Sequence, residues 1–544
     1  MRAGERFPGG SELVDVRTPL QPKEKPGTRP AARRWQAVAA WVAGGLVLFA
    51  VSLRISFGER VDSDGANSAL QAWDLVHGHL MLHGWIMGDA TFYAFELPLN
   101  GIVQLLFGVG NLAAHISSAL IYLIVAACAV ALAVTSSRGL ARAVRGAVVV
   151  AVLAAPLLAA PAVWVLLEEP DHIGTTVFLL LPFLLIDRIP DRPFTAPLVG
   201  LILCAGQLSD LTVRYVAVPA VVVVCGYRVL AARKLRSADL ALVVAAVVSV
   251  PLETMLRAAI VHFGAFVMVP PRTRLAPLRL WPQHASLTWL DVRILFGAVA
   301  GPGTKLGGVG AAFGLICLLA ALFGLARVIW TWRRASRADQ LLSAAIVFNA
   351  GTYLVSVMPS PGRYREVAAV LPCGAVLAAR ALVPARITGT SRACAAVAAT
   401  GLIALLSLAI AATRPPLGPA SAPLAAWLQA HGLTYGIAGY WDASIVTLQS
   451  GNRVQIRAVD LYWNTDGHPG LEIYAPGWET NALWYNASRY DATFAVADSY
   501  GRYPAAGFEH VLGKPAATYR VASWLVLVYR ANLLQRVLPR PGPS

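Results

Sequence analysis

Acidic side chains follow directly after an apolar segment that is long enough to cross a bilayer. Asp62 and Asp64 open the polar stretch 61–98, and Glu96 lies near its end, just before the chain becomes apolar again. Carboxylates at a membrane boundary are costly unless they are solvated, paired or functional. Acids in such a place can take a proton from a hydroxyl or can hold a divalent cation. A solvated loop with scattered acids would give the same pattern, so spacing alone leaves both interpretations open.

The composition places these acids in a membrane protein. Hydrophobic residues make up 57% of the 544 positions and charged residues only 14%, with a mean hydropathy of +0.60, whereas soluble domains carry about 25% charged residues. Segments of about 20 apolar residues, the length of a transmembrane helix, are predicted at 35–57, 113–134, 146–167, 174–188, 194–210, 211–230, 239–261, 306–330, 341–358, 366–383 and 393–413. We therefore predict a mostly α fold, a polytopic bundle of about 11 transmembrane helices.

The distribution of positive charge predicts the orientation of this bundle. Cytoplasmic loops retain Arg and Lys, and these residues recur in the N-terminal tail and in alternate loops, around 138–145, 188–192, 228–236, 333–337 and 380–392. The protein is therefore predicted to be multi-pass in the cytoplasmic membrane, with a cytoplasmic N-terminus and with the acidic loops facing outward. The same bias accounts for the net charge of +16. No nucleic-acid partner is predicted, because no basic face interleaved with stacking aromatics lies on a soluble domain.

Three parts of the chain follow from this pattern. They are a basic cytoplasmic tail at residues 1–34, a transmembrane domain at 35–413 with an outward loop at 58–112, and a small extracytoplasmic domain at 414–544. In the last part, helical segments alternate with strand-like segments, which predicts an α/β domain with a largely parallel sheet. Its aromatic segment contains Trp463, Trp478 and Trp484, which could stack on a sugar or pack the domain onto the membrane face.

The order of these features resembles the N-terminal half of GT-C fold glycosyltransferases, in particular the protein-mannosyltransferase-like and aminoarabinose-transferase-like branch. In that family an acid opens the first outward loop in a D-E-x-x-Y pattern, and a Glu or His precedes the proline of P-P-L. Asp64 matches the first acid, Gly78 is suitably placed after it, and Glu96 matches the second position. The sequence departs from the family at Gly65 and Ser68, where an acid and an aromatic residue usually stand.

The resemblance implies roles for the three acids of the first loop. Asp64 would activate an acceptor hydroxyl, and the departure from the family pattern leaves open whether Asp62 shares or replaces that role. Glu96 would orient the acceptor, or would share a divalent cation, Mg²⁺ or Mn²⁺, with Asp64. On this basis Asp64, Asp62 and Glu96 are the predicted catalytic residues, and Asp64 and Glu96 are the predicted metal ligands.

A second stretch, "LEEPDHIGTTVFLLLPFLL", resembles the family's loop between the third and fourth spans. Asp171 matches the acid that precedes the apolar helix there, with Glu169 and His172 as neighbours. The resemblance implies that these three residues contribute to substrate binding. An N-cap role for Asp171 is the alternative, because an Asp just before an apolar helical run commonly accepts a hydrogen bond from the first turn.

Arginines near predicted span ends are the third feature. Arg363, with Arg365 beside it, matches the arginine of the family's R-Y entry to a late span, and a guanidinium can bind a carrier phosphate with two parallel hydrogen bonds. An interfacial arginine that only reaches for the lipid headgroups is the alternative. Arg272 lies in the long outward loop at 262–305 and could belong to a phosphate-facing lid. Glu253 and Arg257 are four residues apart, which predicts an intrahelical ion pair.

The resemblance implies an inverting glycosyltransferase that takes a sugar from a polyprenyl-phosphate carrier in the lipid bilayer. An outward acid would deprotonate the acceptor hydroxyl, and the carrier phosphate would leave. The acceptor is left open among glycan, lipid, protein and metabolite. Two other classes compete with this prediction: a non-catalytic membrane scaffold or partner-binding relative, and a transporter, which would place its acids within paired, interrupted spans.

Overall fold

The structure is a computed structural model that describes residues 29–158, 160–167, 172–232, 237–270, 274–299, 307–387, 390–464, 470–498 and 503–539. By its internal contacts the chain separates into two units, Met1–Val47 and Leu48–Ser544. All sites described below lie in the second unit.

Helices dominate the fold as far as Ala412. In chain order they are α1 (Arg29–Ser56), α2 (Ser63–Val76), α3 (Glu96–Phe107), α4 (Asn111–Ala133), α5 (Leu140–Ala154), α6 (Ala160–Leu167), α7 (His172–Thr175), α8 (Val177–Arg188), α9 (Thr195–Ser209), α10 (Thr212–Ala232), α11 (Ala238–His262), α12 (Trp281–Leu295), α13 (Gly307–Trp330), α14 (Arg337–Val355), α15 (Val370–Leu382) and α16 (Thr390–Ala412). Each of the predicted apolar segments coincides with helix, and the protein is a multi-pass membrane protein.

The described helices differ in whether they are long enough to cross a membrane by themselves. Six of those helical segments are long and apolar enough: Val38–Ser56, Asn111–Ala133, Leu140–Leu158, Thr212–Ala232, Ala238–His262 and Gly308–Trp330. The predicted span 146–167 is interrupted instead of continuous, because α5 passes into a 3-10 turn at Ala155–Leu158 before α6 begins. Pro156 and Pro161 lie at this junction, and proline has no N–H to continue a helical ladder.

The region after Ala412 contains strands as well as helices. Its elements are α17 (Ala422–Ala430), β3 (Tyr435–Ala438), α18 (Tyr440–Gln449), β4 (Gln455–Ala458), β5 (Asp460–Asn464), β6 (Gly470–Tyr474), β7 (Thr480–Asn481), β8 (Phe494–Ala497), α19 (Ala505–Leu512), β9 (Ala517–Val521) and β10 (Trp524–Val528). A five-stranded sheet has the order β4-β3-β8-β10-β9, and the sheet and its flanking helices enclose apolar clusters of their own.

This sheet is mixed, so the prediction of a largely parallel sheet is wrong. Strands β4, β3 and β8 are parallel, whereas β10 pairs antiparallel with both β8 and β9. The difference arises because "YRVASWLVLVYR" forms two strands joined by a two-residue turn. Ala522 adopts a φ of +50° in that turn, which is the backbone conformation that tight hairpins require.

A second, three-stranded sheet joins segments that are distant in sequence. Strand β1 (Trp85–Met87) pairs in parallel with β2 (Val267–Met268) and antiparallel with β7. It therefore links the loop after α2, the long loop after α11 and the C-terminal region. Trp85 and Met87 point into a small apolar core with Phe266 and Leu82, and this core fixes the C-terminal region against α2.

Candidate functional site

The start of α2 determines where Asp62 and Asp64 lie. Asp62 is the N-cap residue, and its Oδ1 accepts a hydrogen bond from the Gly65 N–H at 2.9 Å. This bond satisfies one of the amide groups that a helix leaves unpaired at its N-terminus. Asp64 lies in the first turn, where the helix dipole favours a negative charge. The Asp62 carboxylate thus caps the helix that carries Asp64.

Asp64 is partly exposed and is held by two other side chains. The Tyr440 hydroxyl donates a hydrogen bond of 2.6 Å to Asp64 Oδ1. Arg365 Nη1 lies 3.9 Å from the other oxygen, Oδ2, and the Asp64 side chain is 35% exposed. The Arg365 guanidinium also lies 5.8 Å from the centre of the Trp164 ring. One carboxylate oxygen is therefore fixed by a short bond, whereas the other has room for a further partner.

A second acid, Glu479, lies buried beside Asp64. Its carboxylate accepts hydrogen bonds from Asn67 Nδ2 at 2.7 Å, from Gln71 Nε2 at 2.9 Å and from the Gly88 N–H at 2.8 Å. Burial, together with the charge of Asp64, raises the pKa of Glu479 to about 8, against the effect of these three donors. The sequence analysis missed Glu479. The sequence did contain one indication of it: Asn67 and Gln71 lie four residues apart on α2, and their amide groups need a hydrogen-bond partner once they are buried.

Tyr440 connects the C-terminal region to this site. It opens α18, directly after β3 ends at Ala438, and its ring stacks on Trp478 with a centroid distance of 4.7 Å and an interplanar angle of 29°. Burial and the charges of Glu479 and Asp64 raise the pKa of Tyr440. The phenol thus keeps its proton and acts as a hydrogen-bond donor to Asp64.

His172 and Asp210 form a second cluster. His172 Nδ1 lies 2.5 Å from Asp210 Oδ2, and Asp210 also accepts hydrogen bonds of 2.8 Å from the Thr175 hydroxyl and the Thr212 N–H. Burial opposes ionisation of Asp210, but the charge and hydrogen bond of His172 and the two other donors lower its pKa to about 2. Glu366 Oε2 lies 3.8 Å from His172 Nε2. His172 was a predicted site residue, whereas Asp210 and Glu366 were not selected.

Glu96 belongs to this second cluster. Its side chain is 1% exposed, and neither carboxylate oxygen has a hydrogen-bond partner among the described residues. Burial, with a contribution from the charge of Asp210, raises the pKa of Glu96 to about 8, and His172 opposes the shift. Gly174 makes room for it, because a Cβ at that position would lie 2.5 Å from Glu96 Oε1.

A cavity of about 320 Å³ adjoins the His172 cluster. His172, Asp210 and Glu366 line it together with Arg274, and Leu211 and Val216 contribute to its apolar wall. Glu366 is the immediate neighbour of Arg365, which faces Asp64. The cavity therefore combines apolar walls with a few converging polar groups, as small-molecule sites commonly do.

The other predicted binding residues have mixed outcomes. Arg363 is 46% exposed on its side chain, and its Nη1 lies 3.9 Å from Glu366 Oε1 and 3.8 Å from Met358 Sδ. Its predicted contact with a phosphate stays a prediction. Glu169, Asp171 and Arg272 lie outside the described residues.

The predicted divalent cation also stays a prediction. Within the described residues, no group of three or more His, Cys, Asp and Glu side chains is arranged to hold a metal ion. The two proposed ligands have different neighbours, since Asp64 contacts Tyr440 and Arg365 whereas Glu96 lies with His172 and Asp210.

Comparison with known proteins identifies the architecture. The chain is similar to the crystal structure of ArnT from Cupriavidus metallidurans bound to undecaprenyl phosphate, with a TM-score of 0.55 and 12% sequence identity over 94% of this chain and 100% of that chain. The apo structure of the same protein gives a TM-score of 0.56 at 13% identity, with the same coverage. No family model and no curated protein sequence matches. The chain therefore has a GT-C-like fold, as the sequence resemblance predicted.

Proposed function

We propose that this protein transfers a sugar from a polyprenyl-phosphate carrier to an acceptor hydroxyl at the outer face of the cytoplasmic membrane. The GT-C-like fold supports this proposal, as does the undecaprenyl phosphate bound to the ArnT structure of similar fold. The observation that carries it is the arrangement at Asp64: a partly exposed carboxylate that is oriented by Tyr440 and faces Arg365, whose sequence neighbour Glu366 lines the cavity.

Asp64 is the proposed base for the acceptor. The Tyr440 hydroxyl donates a hydrogen bond to Asp64 Oδ1, whereas Arg365 Nη1 lies 3.9 Å from Asp64 Oδ2, which is too far for a hydrogen bond. Oδ2 can thus accept the proton of an acceptor hydroxyl. The acceptor oxygen then attacks the anomeric carbon, and the bond from that carbon to the carrier phosphate breaks, with its electron pair leaving on the phosphate. Attack from the side opposite the leaving group inverts the anomeric carbon.

The cavity is the proposed donor site. Arg274 lines it, and Arg363 and Arg365 come shortly before Glu366, which also lines it. Guanidinium groups bind phosphate oxygens through charge-assisted hydrogen bonds, so these three residues supply the positive charge that a departing polyprenyl phosphate needs. The donor would then present its anomeric carbon toward Asp64. Holding the donor and the acceptor together at the start of α2, next to Asp64, would supply much of the rate enhancement through proximity.

The buried acids have supporting roles. Glu479 lies buried beside Asp64, and its pKa is raised to about 8. Glu479 is therefore protonated at neutral pH, so that two negative charges do not lie next to each other. The described side chains around Asp64 are the Tyr440 phenol, the Arg365 guanidinium and the buried Glu479 carboxyl. The step above uses only side chains of this chain, and a requirement for Mg²⁺ or Mn²⁺ stays a separate prediction.

A complementation experiment tests the proposal. Envelope glycans of a deletion strain are compared with those of the parent, and the strain is then complemented with the wild type, Asp64→Asn or Asp191→Asn. Asp191 is an exposed acid on the loop after α8 and serves as the matched control. We expect one glycan to disappear on deletion and to return with the wild type and the control but not with Asp64→Asn. Full restoration by Asp64→Asn at equal protein level would indicate a non-catalytic scaffold instead.

A further inference from the structure

A second cavity, of about 220 Å³, lies between the end of α2 and the C-terminal region. Trp73 and Asp74 of α2 line one side, and Arg457, Trp484 and Tyr490 line the other. It is separate from the site at Asp64, because ten helical residues from Asp64 to Asp74 span about 15 Å. None of the residues assigned above to transfer or donor binding lines it.

Arg457 gives this cavity a buried positive charge. The residue is 5% exposed, and its guanidinium lies 3.9 Å from the centre of the Trp484 ring. Its Nε donates to the Tyr435 hydroxyl at 3.2 Å and its Nη2 to Gln455 Oε1 at 2.8 Å. These are neutral acceptors, and no carboxylate of the described residues lies within 4.0 Å of the guanidinium. A buried cation without an ion pair is costly, so an anion in the cavity would be stabilised.

The remaining lining groups suit a sugar ring. Asp74 accepts a hydrogen bond from Trp85 Nε1 at 2.9 Å, and its carboxylate can accept a further one from a ligand hydroxyl. Burial raises the pKa of Asp74, although the hydrogen bond from Trp85 and the charges of His79 and Arg457 oppose the shift.

Trp73, Trp484 and Tyr490 also line the cavity. The ring faces that His77, Arg457 and Tyr435 leave uncovered can pack on the apolar C–H groups of a pyranose. Arg489, exposed beside Tyr490, adds a second cation at the rim.

We propose that this cavity binds a negatively charged sugar residue, one that carries a carboxylate or a phosphate group, as part of the acceptor glycan. Assignment of the ligand to the acceptor rests on the proposed glycosyl transfer, whereas binding of a charged sugar does not. The same short segment contributes to the cavity and to the Asp64 site: Asn481 lines the cavity, and Glu479, two residues before it, lies beside Asp64. An acceptor chain of a few sugars would therefore reach from this cavity to the site of transfer.

Binding to the full-length protein in detergent micelles tests the proposal directly. Saturation-transfer NMR would compare D-glucuronic acid, D-glucose 6-phosphate, D-glucose and inorganic phosphate. A hydrogen bond between charged groups stabilises a complex more than a neutral one does, so we expect the charged sugars to bind at least about tenfold more tightly than glucose. The two charged sugars distinguish a uronic acid from a phosphorylated sugar. Inorganic phosphate that binds as tightly as the charged sugars would overturn the sugar part of the proposal.

Variants locate the binding to this cavity. Arg457→Gln and Arg489→Ala should each weaken binding of the charged sugar, whereas Arg520→Ala, at an exposed position of β9, should leave it unchanged. Leu483→Glu, which places a negative charge at the exposed rim, provides a second block if Arg457→Gln fails to fold. Equal binding by the wild type and Leu483→Glu, or equal loss in Arg520→Ala, would contradict the assignment.

The same assay separates this inference from the proposed function. Asp64→Asn should bind the charged sugar as well as the wild type does, because its carboxylate lies outside the cavity. Binding of a charged sugar by a wild-type protein that transfers no sugar would leave the cavity assignment intact and refute only the proposed transfer. Transfer without binding of either charged sugar would refute the cavity assignment alone.

Discussion

Asp64 and Glu96 lie on consecutive helices, α2 and α3, yet their carboxylates have opposite surroundings. Asp64 is 35% exposed, accepts a short hydrogen bond from Tyr440 and faces a guanidinium. Glu96 is 1% exposed and has no hydrogen-bond partner among the described residues. A base needs a charged oxygen within reach of its substrate, and only the first environment supplies one. The buried acid, which lies with His172 and Asp210, is suited to a neutral supporting role.

The largest difference between the two acids should appear in turnover. Asp64→Asn keeps the shape of the side chain but removes the proton acceptor, so kcat should fall by about two to four orders of magnitude. Glu96→Gln should lower kcat much less, because an amide resembles the protonated acid that burial favours. Both variants are to be measured at equal amounts of folded protein. A greater loss in Glu96→Gln would reverse the assignment of the two roles.

A smaller effect is expected at the residue that orients Asp64. Tyr440→Phe removes a hydrogen bond to a charged group while keeping the stack on Trp478, so kcat should fall by about tenfold. Tyr519→Phe, at an exposed position of β9, is the matched control. The steady-state KM for the donor should change little in either variant. Wild-type kcat in Tyr440→Phe would mean that Asp64 is held by other contacts.

A substitution of Arg363 tests the proposed binding of the lipid donor. If its guanidinium binds the carrier phosphate, Arg363→Ala should raise the KM for the lipid donor by about tenfold and leave acceptor dependence unchanged. Arg363→Lys should recover part of the loss, since it restores the charge without the planar fork. Arg188→Ala, at the exposed end of α8, provides the control. An unchanged donor KM would reduce Arg363 to an interfacial anchor.

The smallest effect concerns stability against pH. The pKa of Glu96 is about 8 in the folded protein and 4.5 without the fold, so the folded state binds the extra proton between these values. The free energy of unfolding should therefore fall as pH rises from about 4.5 to 8. Glu96→Gln cannot titrate and should show a shallower fall, measured as melting temperature in detergent across this window. Identical slopes in variant and wild type would show that Glu96 is ionised in the folded protein.

Local patterns in the sequence predicted local structure well. The apolar segments coincide with helices, and Glu253 pairs with Arg257 on α11 as their spacing of four residues indicated. The structure adds Arg214, from α10, to the same carboxylate. The role of Asp64 stays a prediction, and the spacing of acids in the first loop could not show that Asp62 is a helix cap.

Contacts between distant segments could not be predicted from one sequence. Tyr440 reaches Asp64 across 376 positions, and Glu479 reaches Asn67 across 412. Both depend on β1 and β7 pairing, which fixes the C-terminal region against α2. The aromatic segment "YAPGWETNALWY" was interpreted as a surface for sugars or for the membrane. In the structure, Trp478 stacks on Tyr440, and Trp484 lies against the Arg457 guanidinium and lines the second cavity.

The central claim is that a sugar leaves a polyprenyl phosphate and that Asp64 activates its acceptor. The most direct measurement uses purified protein in lipid vesicles with undecaprenyl-phosphate-linked mannose, galactose or arabinose, labelled in the sugar, and envelope extract of the deletion strain as acceptor. The account predicts transfer of label from one of these donors, loss of about two to four orders of magnitude in rate with Asp64→Asn, and substantial activity with Asp62→Asn. Full transfer by Asp64→Asn, or loss in Asp62→Asn alone, would contradict it.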